Sequence, residues 1–202
     1  VTAKLKQAKR NDSAREVETK TNQVKDMGRK VDDAEEPVQL ATALRDGAET
    51  DIVETAQTFR MKLGSRTLSA QKEPPYTSIF PKGFAYYKSA PLDEKENRYN
   101  ELIARVKTHL PEGDELKAPL LSTLTQDVTT FVTASTNLEE ARRTYSISRT
   151  ALDTAVNEWD TLMEKTYGAL ISAVGKKAAE RFFPKSRRVN PGDEEIPPAP
   201  CA

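Results

Sequence analysis

His109 is the only histidine of this 202-residue chain, and Cys201 is its only cysteine. One of each is too few for a structural or catalytic zinc site. A di-iron centre in a helical bundle draws on Glu-x-x-His pairs from two helices, and His109 has no Glu three residues before it. Its position instead suits the C-terminal turn of a short helix, where partial positive charge is favourable. The carboxylate clusters Asp32/Asp33/Glu35/Glu36 and Glu139/Glu140 read as solvated helix faces rather than acid–base pairs. Gly168 and Gly175-Lys176 are separated by too many residues for a phosphate loop. They read, with Ser172, as small residues on a helix that let another helix approach. Gly64-Ser65 lacks the surroundings of a nucleophile elbow. No catalytic, cofactor-binding or metal-ligating residue is therefore assigned, no cofactor is expected, and the chain reads as a non-enzyme.

Residues suited to recognition are more numerous. Tyr76, Phe80, Phe84, Tyr86 and Tyr87 lie close together, with Lys82 and Lys88 among them. Aromatics interleaved with cations can stack on bases or anchor a protein interface. The competing expectation is that this segment folds back and plugs the end of a helical bundle, with Phe182-Phe183 doing the same elsewhere. A basic end is the second candidate. Residues 1–30 hold nine Lys/Arg against four Asp/Glu, and residues 161–191 hold seven against two. Lys176, Lys177, Arg187 and Arg188 are its partner-binding candidates. By contrast, residues 31–55 carry one Arg and eight acids.

The elements that must carry these groups are long helices. Val17, Val24, Val31, Val38, Ile52 and Phe59 form a ladder with a step of seven, Arg45 standing at the skipped rung. Leu124, Phe131, Leu138, Tyr145, Leu152 and Trp159 form a second. A seven-residue apolar step is the mark of helices packed along a seam. The ladders superpose on a shift of 107 residues, Val17 onto Leu124, which suggests an internal repeat. Ser13 with Glu16 has capping-box spacing and predicts a helix from there to about Arg66, bent at Pro37. Asp93 with Glu96 predicts a second cap, opening a short helix that ends before Pro111. Another long helix is expected from about Glu115 to Arg181, with Pro119 tolerated in its first turns. Arg142 and Arg149 follow Leu138 and Tyr145 by four and are expected at the other core position, with their stems covering apolar surface. Residues 67–92, with four Pro and Gly83, read as a loop.

The expected fold is all-α: an elongated antiparallel long-helix bundle or coiled coil with a short extra helix. The alternative is a compact four-helix bundle. The domain reading is 1–91, a first long-helix unit with the aromatic Pro-rich loop; 92–184, the short helix and second long-helix unit; and 185–202, a disordered tail. Formal net charge is zero, so a uniformly basic nucleic-acid binder is not indicated. One cysteine forms no intrachain disulfide. No apolar run is long enough for a transmembrane segment, and no signal peptide is visible. The first residue is Val1 rather than Met, which leaves room for an N-terminal segment removed or left out. Localisation stays open. The functional expectation is a non-catalytic structural or scaffolding helical protein, acting through self-association, as a homo-oligomer, or through a protein partner. The alternative is a binding module whose basic end contacts nucleic acid, an anionic membrane surface or an acidic protein.

Overall fold

The computed structural model describes residues 1–183; the expected tail, with Arg187, Arg188 and Cys201, lies outside the described residues. The described chain is all-α: α1 (Thr2–Gln7), α2 (Asn11–Gly64), α3 (Tyr76–Ile79), α4 (Ala85–Lys88), α5 (Leu92–His109), α6 (Lys117–Val174) and α7 (Lys176–Ala179), with a 3₁₀ turn at Ala70–Lys72. It divides into two compact units, one of residues 1–29 and 150–183, the other of residues 30–149. The boundary read from the sequence, between 91 and 92, falls inside the second unit.

In the unit of residues 30–149, α2 and α6 run antiparallel, and the Thr55 hydroxyl donates to Asp127 Oδ2 at 2.7 Å across the pair. Ile52, Phe59, Leu124 and Phe131 are buried together, and Val31 and Leu138 are buried further along the seam. Burial of each such side chain stabilises by about 1.5–3 kcal/mol. Ala41 and Ala48, one heptad apart, are buried beside the rungs, where small side chains let the helices close. α2 passes through Pro37 as one helix. The proline is exposed, so its ring meets solvent rather than a packed neighbour, although its missing N–H still costs the helix a bond.

α5 completes this core with Tyr99, Leu102, Ile103 and Val106. It begins at Leu92 after Pro91, not at an Asp93 cap, and no side chain caps it. Asp93 and Glu94 instead occupy its first turn, where negative charge opposes the helix dipole favourably. His109 ends it, exposed, as the sequence suggests. The freed carbonyls at this end are met by a buried lysine at the start of α6: Lys117 Nζ donates to Lys107 O at 2.9 Å, Leu110 O at 2.8 Å and Glu112 Oε1 at 2.7 Å. Arg66 forks onto Asp114 at 2.6 and 2.5 Å. That hydrogen bond holds the Asp114 carboxyl below its ordinary range.

In the unit of residues 1–29 and 150–183, α2 and α6 again run antiparallel. Trp159 Nε1 donates to Thr21 Oγ1 at 3.0 Å, and Lys20 Nζ to Glu158 Oε2 at 2.5 Å. Leu5, Ala14, Val17, Leu170 and Ala179 form its core, with Phe182 and Phe183 packed on it. α1 reverses into α2 through Lys9, whose φ is 58°. Lys9 N–H donates to Lys6 O, and Arg10 N–H to Leu5 O, both at 3.0 Å. This is the Schellman closure, with lysine at the position glycine usually holds.

Three expectations are corrected here. The last long helix does not reach Arg181: Gly175 adopts φ 80°, which ends α6 and starts the return of α7. A Cβ at Gly168 or Gly175 would meet nothing within 4 Å, so neither admits a neighbouring helix. Arg142 and Arg149 are exposed. The second seam position falls three residues after each rung, not four, at Ala134, Ala141, Ser148 and Ala155, all buried or half-buried.

Candidate interaction surfaces

The aromatic segment is ordered as the 3₁₀ turn, α3 and α4 rather than as a loop, and its rings face inward. Phe80 is the hub, with ring centroids of Phe59, Tyr76, Phe84 and Tyr87 between 5.3 and 6.1 Å away. Phe80, Phe84 and Tyr87 are buried, and Tyr76 and Tyr86 are half-buried. Burial pushes the Tyr87 phenol up to about 12, with the Glu101 charge adding to it, so it stays protonated and donates to Ile79 O at 3.3 Å. Arg60 lies 5.4 Å from the Phe84 ring centre and donates to the Tyr76 hydroxyl at 3.1 Å. Lys82 and Arg98 each lie 4.3 Å from the Tyr86 ring centre. Of the segment's two lysines, Lys82 is engaged on the segment's own Tyr86 ring, while Lys88 is exposed. This arrangement is the plug: it covers Phe59 and Leu63 of α2 and one side of α5. It offers no stacked platform as it stands.

The basic candidates gather in the unit of residues 1–29 and 150–183. Lys4 Nζ donates to Arg181 O at 2.5 Å, tying α1, with Lys4 and Lys6, to the segment that carries Lys176 and Lys177. Lys9, Arg15, Lys176 and Lys177 are exposed. The cluster is more balanced than the sequence windows imply. Lys6 pairs with Glu18 at 2.8 Å and Lys20 with Glu158 at 2.5 Å, and Asp153, Glu158 and Asp160 join the unit from the part of α6 that those windows omit. Its described residues hold twelve Lys/Arg against nine Asp/Glu.

The unit of residues 30–149 has a flank that the sequence reading missed. α5 sits on one side of the α2–α6 pair, where Lys95 reaches Glu49 and Val53 packs on the core. Leu40 lies nine residues from Glu49, and Leu44 nine from Val53, roughly two and a half helical turns in each case. Both leucines therefore face away from α5, 62% and 58% exposed. Beside them is a groove of about 320 Å³, floored by Ala41 and Ala134 and walled by Leu44, Thr130, Thr133 and Asn137. The signal in the sequence was apolar residues off the ladder. A second cleft on this flank, about 460 Å³, runs along Thr58, Phe59 and Leu120. Its charged groups Glu54, Lys62 and Glu115 are exposed.

The acidic clusters Asp32/Asp33/Glu35/Glu36 and Glu139/Glu140 are exposed, as solvated faces should be. Among the described residues, no helix is long and apolar enough to cross a membrane. Comparison of the chain with protein-family models, with curated proteins and with solved structures finds no match.

Proposed function

We propose that this chain is a non-catalytic structural or scaffolding protein that works through association, with another copy or with a protein partner. One observation carries the reading: among the described residues, the helix seams are only partly covered. Tyr145, Leu152 and Trp159 are half-buried rungs, and Leu40, Leu44 and Ile147 are exposed outright. A paired-helix seam gains stability when a third or fourth helix covers its flanks. Chemical cross-linking in the native cell tests this. Species heavier than the 22.5 kDa chain are expected, and migration as a single chain at every cross-linker dose would overturn it. A second reading has its own support in the Lys4–Arg181 bond. Under it, the gathered lysines contact an anionic partner: nucleic acid, a membrane surface or an acidic protein.

A further inference from the structure

We infer that the end of the unit of residues 1–29 and 150–183, where α2 begins and α6 finishes, docks on an anionic membrane surface. Lys9, Arg10, Lys176 and Lys177 meet the lipid headgroups, and Val174 enters between them. The inference rests on the second reading above, the anionic partner, and names which anion it is. Three observations support it. The first is where the fold brings the cations. α2 and α6 are antiparallel in this unit, so the turn that leads into α2 and the turn that follows α6 lie at one end. Both turns are made at residues of positive φ, Lys9 and Gly175. The bond from Lys4 Nζ to Arg181 O ties the two returning segments together. Residues 4–12 carry four Lys/Arg and residues 172–181 carry three, against Asp12 and Glu180. Lys9, Arg10, Lys176 and Lys177 have no ion pair among the described residues. Gathered unpaired cations repel one another and favour a counter-charge.

The second is the apolar residue set among them. α6 carries no charge from Thr166 to Val174. Its last residues, Ser172, Ala173 and Val174, are exposed, Val174 by 45%. An aliphatic side chain flanked by lysines suits the headgroup boundary: the apolar group enters the acyl region while the ammonium groups stay with the phosphates. The sugar-phosphate backbone of a nucleic acid has no acyl region to receive it.

The third is size. Helices side by side lie about 8–10 Å apart, so with the two returning segments beside them this end is about 20 Å across, or roughly 400 Å². Each partner of a stable protein complex buries about 800 Å², and a single DNA-binding module buries about 600–1,000 Å². A membrane contact needs no such area, because each cation close to an anionic leaflet strengthens binding about fivefold by itself.

Flotation of the full chain with lipid vesicles at low salt tests the inference. The chain is expected to float with phosphatidylcholine vesicles containing about one-third phosphatidylserine, and not with phosphatidylcholine alone. Lys176→Gln with Lys177→Gln should lower the partition coefficient about 30-fold. Val174→Ser, which leaves the charge unchanged, should lower it about threefold. Lys72→Gln with Lys107→Gln removes the same charge from exposed positions of the other unit and should float as wild type does. Circular dichroism should show helicity unchanged in all three variants, because every substituted side chain is exposed. No flotation with the anionic vesicles, equal flotation with both kinds, or Lys176→Gln/Lys177→Gln and Val174→Ser variants that float like wild type would overturn the membrane surface. Binding to duplex DNA or to polyglutamate without flotation would overturn the membrane and leave the anionic-partner reading standing. Binding to none of the three would overturn both.

Discussion

Tyr99 carries a buried hydroxyl with no hydrogen-bond partner among the described residues. It lies one turn after Lys95 on the core face of α5, and both side chains are essentially fully buried. The two polar groups fare differently. The Lys95 ammonium is paired with the Glu49 carboxylate, so its charge is compensated. The Tyr99 phenol is pushed upward, first by burial and then by the Glu49 charge, and so remains a protonated donor. A buried donor without an acceptor costs about 1–3 kcal/mol. Tyr99→Phe keeps the ring that packs on Tyr87 and removes that cost. It should therefore raise stability by about 1 kcal/mol in denaturant unfolding. A loss of stability of the same size would show that the hydroxyl holds an ordered water. Lys117 is the opposite case: its amine satisfies three acceptors at the end of α5, and neither buried lysine is marked by any sequence pattern.

The long helices share one periodicity, yet the rungs are not buried equally. Leu124 is fully buried and Leu138 nearly so, while Leu152 and Trp159 are half-buried. For Leu124 the difference is the third layer: α5 and the aromatic plug cover the first part of the α6 seam, up to Ala134, whereas Leu152 has no such cover. Leu124→Ala should cost about 2–5 kcal/mol, as for a packed core leucine. Leu152→Ala should cost about 1 kcal/mol or less, since less area leaves contact. Thermal unfolding of the two variants checks the ordering, and equal losses would mean that Leu152 is covered in the protein as it unfolds. The same contrast shows what was legible in the sequence. Seven-residue spacing gives the helices and their seam, because α-helical geometry sets that period, and the antiparallel pairing follows from a connection too short to carry the chain back along so long a helix. It does not reveal α3 and α4, which are single turns held by tertiary packing of Phe80 and Tyr87. Nor does it place the second seam position, because a single ladder can be either row of the heptad seam, and the other row follows three residues later in one case and four in the other. The stop at Gly175 was missed for a related reason: helical periodicity carries no sign of a backbone φ of 80°.

Charge is distributed by unit, although the chain sums to formal neutrality. Residues 30–149 hold sixteen Lys/Arg against nineteen Asp/Glu, while the described part of the other unit has a basic excess. Two of its cations, Lys6 and Lys20, are paired within the unit, on Glu18 and Glu158. Lys176 and Lys177 have no ion pair among the described residues and are exposed, which makes them available to an outside anion. Arg187 and Arg188 follow on the same stretch of chain, outside the described residues. Replacing these four residues by Gln should leave helicity intact, because Lys176 and Lys177 support no core contact. It should also weaken binding to duplex DNA, to vesicles containing an anionic lipid, or to polyglutamate, tested in parallel across a salt series. Exposed charges are screened over about 10 Å at 0.1 M salt, so the gap between wild type and variant should be widest at low salt and close as salt rises. The three probes separate the nucleic-acid, membrane and acidic-protein sources of the anion. Wild type and variant behaving alike with all three at low salt would make the basic surface a solvated one and leave association to the apolar flank of Leu40 and Leu44.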